Sequence, residues 1–284
     1  MKVVKVIQES SRVGIGSTIF RGLHRLYYRD SNEILYFMFN NPLYNCENEN
    51  TWSTFLKQPF ESDIEFIKNE IKEGRAIREN GIDHPGCPFL FAYCKQQNNG
   101  KDFLNKTIVQ KYREELNPFL KFNDSIVKKV NEFENIHFKG KKVLSVHKRG
   151  TDALTIGHGK NQAHLFTYST VKSAVDKIIN DFDIIFLATD EEDIYQNMKN
   201  DFKTKVVSYS TIRAQSGDTR GLHHSYANEM KDKKYVLGEE AIIDMLLMSR
   251  CQYSLCSHSN LSLLNIIIRK DYNYEFLDDH VEYN

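Results

Sequence analysis

No two cysteines in this chain stand at CxxC spacing, and the five present (Cys46, Cys87, Cys94, Cys251, Cys256) are odd in number. That excludes the framework of a small disulfide-held secreted domain and a cysteine zinc site, and the cysteines read as reduced thiols. Long apolar runs are also missing. None approaches the roughly 20 residues that a membrane helix needs, and the opening MKVVKVIQESSRVG carries too short an apolar stretch for a secretory signal. The expectation is a cytoplasmic protein without a transmembrane segment, with peripheral attachment at the inner membrane face left open. Charge of one sign is absent too: 38 basic side chains balance 38 acidic ones. Polyanion-binding proteins usually carry a basic excess, so nucleic acid is not an expected partner. With 40% hydrophobic and 12% aromatic residues and no low-complexity tract, the chain reads as an ordinary globular protein.

A length of 284 residues suggests two domains. In the first half, strands are expected at Val3 to Ile7 and Ile34 to Phe39. Helices are expected from Thr18 to Tyr28 and from Glu61 to Glu73, the second stopping at Gly74. The proline- and glycine-bearing stretch from Gly81 to Pro88 reads as a loop. Lys101 to Phe133 has helical spacing broken near Pro118. A boundary falls around Asn135 to Lys142, giving domains 1–138 and 139–284. Beyond it, strands at Val143 to His147, Ile184 to Ala188, Lys205 to Tyr209 and Tyr253 to Cys256 alternate with helices. The helices are expected at Thr170 to Asn180, Ile194 to Asp201, Glu239 to Ser249 and Leu261 to Ile268. Buried Val/Ile-rich strands alternating with helices predict an α/β fold with a parallel sheet covered on both faces.

Ligands of such sheets bind at the carboxyl ends of the strands, and three strand ends here carry dense polar chemistry. The first is His147-Lys-Arg-Gly-Thr-Asp152. An arginine just past a buried strand suits a bidentate grip on phosphate, and Gly150 allows a sharp turn. The alternative is a surface loop in which Arg149 pairs with Asp152. The second is Thr189-Asp-Glu-Glu-Asp193. It reads either as a hard-cation site or as acids suited to the dipole of the following helix, with Asp190 closest to a ligand. The third is Ser257-His-Ser-Asn260, a strand-to-helix turn. Its free amides would attract phosphate, or its serine and asparagine would simply cap the helix. Asp244 stands among apolar residues in Ala-Ile-Ile-Asp244-Met-Leu-Leu-Met. A buried carboxylate there needs a partner, and the adjacent ring N–H and amino group of guanine would supply two donors. The alternative is a single solvent-facing position. Near the N-terminus Val13-Gly14-Ile-Gly16 opens a helix. Ile19 stands where a dinucleotide fingerprint wants a third glycine, so a simple NAD fold is rejected.

Taken in order, these segments resemble the fucosyltransferase superfamily, nearest to the core α-1,6-fucosyltransferases and the bacterial nodulation fucosyltransferases. The family's His-x-Arg-Arg-Thr-Asp is matched by His147-Lys148-Arg149-Gly150-Thr151-Asp152, and its Phe-Leu-Ala-Thr-Asp-Asp by Phe186 to Glu191. Its Gly-Leu-His is matched by Gly221-Leu222-His223, its acid in an apolar helix by Asp244, and its final turn by Cys256 to Asn260. The resemblance implies a GT-B-like fold, with two Rossmann-type domains facing a central cleft and the first domain on the acceptor side. It implies an inverting, metal-independent transferase with no cofactor, whose donor is GDP-fucose or another GDP-sugar and whose acceptor is a glycan, in bacterial surface polysaccharide synthesis; the alternative is a catalytically impaired nucleotide- or glycan-binding relative. Arg149 would bind the β-phosphate. His147 and Asp244 would hold guanosine, and Asp190 would support the pocket or the Arg149 loop. Ser257, Ser259 and Asn260 would complete phosphate binding, with Asp152, Gly14 and Gly16 also on the donor side. Two positions depart from the pattern. Gly150 replaces the family's second arginine. Gly157 replaces a glutamate thought to act as base, which leaves the neighbouring His158 as the candidate base.

Overall fold

Two runs of buried strand residues, Val143–Lys148 (β4) and Ile184–Thr189 (β5), lie at the centre of the larger of two parallel sheets. A computed structural model describes residues 2–44, 50–80, 106–150, 167–215, 222, 231–257 and 259–277. Its first sheet contains Val3–Ser10 (β1), Glu33–Asn40 (β2) and Ile77–Asn80 (β3) in the order β2-β1-β3, all parallel. The second adds Val206–Val207 (β6), Tyr253–Cys256 (β7) and Tyr274–Phe276 (β8), in the order β6-β5-β4-β7-β8, again all parallel. Both sheets are therefore doubly wound. Their strand order reverses beside the first strand of each, at β1/β3 and at β4/β7.

Alternation along β4 decides what the site can use. Leu144 and Val146 pack against Tyr168–Ile178 (α6) and Glu192–Phe202 (α7), with Val171, Val175, Ile194 and Met198. Val143 lies on the opposite face, among residues of Lys231–Arg250 (α8) and Asn260–Ile268 (α9). The same period puts His147 on the α8/α9 face and Lys148 on the α6/α7 face. Nearly every residue of α8 from Leu237 to Met248 is buried, the acids Glu239, Glu240 and Asp244 included.

In the first half, Ile15–Tyr27 (α1), Thr51–Phe55 (α2) and Ile64–Lys72 (α3) surround the small sheet. Lys106–Leu116 (α4) and Asp124–His137 (α5) follow it in sequence yet pack on elements of the second half. Arg113 of α4 donates to the Ile266 carbonyl at 2.9 Å, and Lys129 of α5 pairs with Glu239 of α8 at 2.7 Å.

Three features differ from the sequence reading. Helix α1 begins at Ile15 because the Gly14 carbonyl already accepts the Thr18 N–H at 3.1 Å, so Gly16 sits in its first turn, not in a loop. The strand expected over Lys205 to Tyr209 shrinks to two residues. Lys203–Lys205 forms a 3₁₀ turn before it, and Ser208 to Ser210 leave the sheet. The edge strands β3 and β8 were not anticipated. Each is short, and β3 is largely exposed, so neither carries the apolar signature of a central strand.

Trp52 fixes α1 against β2. It is 1% exposed, donates Nε1–H to the Lys57 carbonyl at 3.0 Å, and meets the Phe37 and Phe39 rings edge-on. Gly22 gives it room: a Cβ there would stand 2.1 Å from the indole. Gly22→Ala is expected to destabilise the protein by about 1–3 kcal/mol through overpacking. Gly14→Ala, with nothing within 4 Å of an added Cβ, should stay within about 0.5 kcal/mol of wild type. Urea unfolding of the two variants checks the contrast.

Candidate functional site

The strand order of the second sheet reverses between β4 and β7, and an open cleft lies at their carboxyl ends. That is the position where doubly wound sheets take ligands. Its walls bring together Gly14 and Gly16 from α1, His147 and Arg149 from the end of β4, and Asp190 after β5. Asp244 of α8 and the Ser259–Asn260 turn complete them. Eight of the candidates from the sequence thus share one cavity. Asp152 and His158 lie outside the described residues, as do Gly157, Gly221 and His223.

The Arg149 backbone is clamped from two sides. Its N–H donates to Ser257 Oγ at 3.0 Å, and Ser257 Oγ–H in turn donates to the His147 carbonyl at 2.9 Å. The next amide, of Gly150, donates to Asp190 Oδ1 at 2.9 Å. Ser257 is therefore turned inward. It ties β7 to β4 and lies outside the cleft lining, whereas phosphate contact was expected of it. Asp190 supports the Arg149 turn. The acids that follow it have structural roles: Glu191 pairs with Lys148, and Glu192 and Asp193 open α7. Among the described residues no group of three His, Cys, Asp or Glu gathers to hold a metal ion.

His147 is 6% exposed, and its Nδ1 lies 2.6 Å from Ser262 Oγ. That hydroxyl already donates to the Ser257 carbonyl at 2.7 Å, so it accepts from His147 Nδ1–H. The network assigns a neutral imidazole with Nε2 left as an acceptor on the cleft side. Burial pushes the histidine down to about 3, and the neighbouring Arg149 and Lys148 cations act in the same direction.

Ser259 is the N-cap of α9 and accepts the Ser262 N–H at 3.1 Å. The capping alternative holds for its side chain. The amides of Asn260 and Leu261 precede the first backbone bond of the helix, from Leu263 N–H to the Ser259 carbonyl, and both residues line the cleft. Asn260 Nδ2 donates to Ser17 Oγ of α1. A Cβ on Gly16 would stand 3.1 Å from Asn260 Cβ, so the glycine permits this close approach of the two helices.

Asp244 is 7% exposed, which removes the solvent-facing alternative. Ser210 Oγ–H donates to its Oδ2, while Oδ1 is buried with no hydrogen-bond partner. Burial pushes its carboxyl up to about 7, opposed by the Ser210 hydrogen bond and reinforced by Glu240 one turn away. Glu240 also lines the cleft, and it accepts from Thr211 N–H at 3.1 Å and from Thr211 Oγ–H at 2.8 Å. Glu240, Ser210 and Tyr44 escaped the sequence reading. Glu240 could have been found from its i−4 spacing to Asp244 in an apolar helix, whereas Ser210 and Tyr44 arrive from distant loops with no local signal.

The Asp244 shift carries a sign. The folded carboxyl keeps its proton up to about pH 7, whereas the unfolded one releases it near 3.8. The folded state therefore binds more protons between these values, and stability falls as pH rises through that window. Asp244→Asn should remove a slope on the order of 3–4 kcal/mol across it. Chemical denaturation of both proteins from pH 4 to pH 8 reads the difference, and parallel curves would contradict the assignment.

No family model and no curated protein sequence matches the chain. Among solved structures, it is similar to the fucosyltransferase NodZ from Bradyrhizobium at 14% identity and a TM-score of 0.54, over 95% of this chain and 94% of that one. It is similar to a NodZ α-1,6-fucosyltransferase soaked with GDP-fucose at 12% identity and a TM-score of 0.55, over 93% and 92%. A mutant of Arabidopsis thaliana FUT1 in complex with GDP gives 10% identity and a TM-score of 0.51, over 97% of this chain and 70% of that one. With its parallel sheets and paired switch points, the chain has the α/β fold of these GT-B-like fucosyltransferases.

Proposed function

We propose that this protein is a GDP-sugar-dependent glycosyltransferase that moves fucose from GDP-fucose to a hydroxyl of a glycan acceptor with inversion of the anomeric centre. The observation that carries the reading is the shared cleft. A guanidinium on a doubly braced turn and a buried carboxylate with one unpartnered oxygen line the same cavity, as a diphosphate and a purine would require. The fold's likeness to structures holding GDP or GDP-fucose supports it.

On this reading Asp244, ionised on binding, accepts from the ring N–H and amino group of guanine. His147 Nε2, as an acceptor, needs a donor, which suits a ribose hydroxyl and not an ionised phosphate oxygen. Arg149 takes the β-phosphate, and the amides of Asn260 and Leu261 add the helix N-terminus. The acceptor oxygen attacks the anomeric carbon and the bond to the β-phosphate oxygen breaks. Negative charge then grows on GDP, where Arg149 and those amides are already placed. His158 is the proposed base for the acceptor proton, and Asp152 and Ser257 remain donor-side proposals, Ser257 through its hold on Arg149. No metal or cofactor is required by this scheme. The division at residue 138, the cytoplasmic setting at the inner membrane face and a bacterial surface glycan as acceptor belong to the same proposal. A second reading, transfer from another GDP-sugar, is favoured by one observation: Glu191, not an arginine, fills the space beside Gly150.

Arg149→Ala is expected to lower sugar transfer by on the order of 10²–10³ while circular dichroism stays unchanged. Near-normal turnover across a panel of GDP-sugars would refute the role. Asp244→Asn should lose about tenfold or more of the preference for GDP over ADP, the loss of one hydrogen bond to a charged acceptor. Competition titration measures that ratio, and an unchanged ratio would place the base elsewhere.

A further inference from the structure

The stretch from Ser208 to Ala214, which leaves the sheet after β6, supplies Ser210 and Ile212 to the cleft. It forms no helix or strand of its own, so side chains must hold it. Two fastenings reach neighbouring elements. Thr211 donates from its N–H and its Oγ–H to Glu240 of α8 at 3.1 and 2.8 Å. Ala214 N–H donates to the carbonyl of Asp190 at 2.8 Å, the residue whose side chain holds Gly150. The third fastening is internal. Arg213 Nη2 donates to Ser208 Oγ at 2.7 Å and to the Ser210 carbonyl. One guanidinium nitrogen thus closes the turn in which Ser210 stands.

Arg213 is itself held in place. Its side chain is 7% exposed, its Cζ lies 3.9 Å from the centroid of the Tyr195 ring of α7, and its Nη1 lies 3.8 Å from Glu192 Oε2. It does not line the cleft. Burying a cation costs desolvation that a neutral side chain would avoid, so closing a turn does not by itself account for an arginine. An electrostatic reason stands close by. Glu240 and Asp244 are buried carboxylates one turn apart on α8, and among the described residues no lysine or arginine forms an ion pair with either. Burial and Glu240 favour the protonated Asp244, whereas the Ser210 hydrogen bond and the Arg213 cation favour the ionised form. Tyr209 beside them is kept protonated by burial and adds no charge. Neutral His147, with Arg149 and Asp190, shares the cleft. Arg213 therefore bears on Asp244 twice, through its charge and through the serine that it fixes.

We propose that Arg213 is a positioning residue for nucleobase recognition: it holds Ser210 so that the serine hydroxyl occupies Asp244 Oδ2, which leaves Oδ1 to meet the base. The proposal rests on the reading of the cleft as a GDP site.

The experiment titrates GDP and ADP by calorimetry into the full chain, Arg213→Gln, Ser210→Ala and the double variant, from about pH 6 to pH 8. Wild type should bind GDP more tightly as pH rises through about 7, where Asp244 ionises. Arg213→Gln should lower the preference for GDP over ADP about tenfold and move the midpoint of the pH dependence up by about one unit. Ser210→Ala should lower the same preference, and in the double variant the two losses should fall short of their sum. Without ligand, Arg213→Gln should extend the pH window of the Asp244 stability slope upward, and that change should vanish in the Asp244→Asn background. A loss of packing alone would persist there. An unchanged preference and midpoint in folded Arg213→Gln, or losses that add in full, overturns the proposal. If Arg213→Gln does not fold, an unchanged preference in Ser210→Ala overturns it instead. No GDP binding by wild type would sink the nucleotide reading, and the ligand-free slopes would still decide whether Arg213 acts on Asp244.

Discussion

Everything at the cleft of Arg149 and Asp244 depends on how the end of β4 is tied down. Three hydrogen bonds do it: Arg149 N–H to Ser257 Oγ, Ser257 Oγ–H to the His147 carbonyl, and Gly150 N–H to Asp190 Oδ1. They join the exits of β4, β5 and β7, the strands on either side of the switch point. A guanidinium on a long side chain places charge only as well as its backbone is held. Here the backbone is held by groups that are themselves buried or braced, so the turn after β4 is shaped before any ligand arrives. Such preorganisation is what gives a fixed charge its effect on a reaction. The same network sets the chemistry of His147. Because Ser262 Oγ spends its proton on the Ser257 carbonyl, the imidazole must donate to it from Nδ1.

The two halves of the chain are joined by close approaches that only small residues allow. Gly16 lets the start of α1 come against the start of α9, where Asn260 reaches Ser17. At Gly238 of α8 an added Cβ would lie 2.6 Å from the Phe55 ring and 3.0 Å from that of Tyr44. The N-terminal half thus contributes Tyr44 and the glycine turn to a cavity whose charged groups come from the C-terminal half.

The order of legibility follows from how local each cause is. Buried strands such as Val143–Lys148 and Ile184–Thr189 announce themselves because every residue must be apolar or satisfied when both faces are covered. Arg149 and Asp244 were legible because a charge at the end of a buried strand, or inside an apolar helix, violates the local pattern. Their partners were legible only in part. Asp190 was read as a support of the Arg149 loop, and Ser257 was marked for phosphate and not for the Arg149 amide 108 positions away. Ser210 reaches Asp244 across 34 positions, and nothing in a short window marks it. The glycine pair is a related case: Gly14 and Gly16 read as a turn that opens a helix, both line the cleft, and the tertiary structure adds that Gly16 lets α1 approach α9. The edge strand Ile77–Asn80 was missed because an exposed strand need not alternate.

Position 150 shows how a departure from the resembling motif is accommodated. The family pattern has an arginine there, and this chain has glycine. The space is occupied: a Cβ on Gly150 would stand 1.7 Å from Glu191 Oε1, and the same carboxylate pairs through Oε2 with the nearly buried Lys148. Restoring the arginine would mean displacing Glu191. That would strip the buried Lys148 of its counter-charge, a loss of the kind that costs about 3–5 kcal/mol. Lys148, Gly150 and Glu191 are therefore one coupled feature, and the glycine is its consequence. Arg149 is left as the only cationic side chain among the described lining residues. On the proposed reading, a diphosphate would be met among the described residues by that guanidinium and by the backbone amides that open α9, which makes the geometry of the Ser257–Asn260 turn as consequential as the arginine itself.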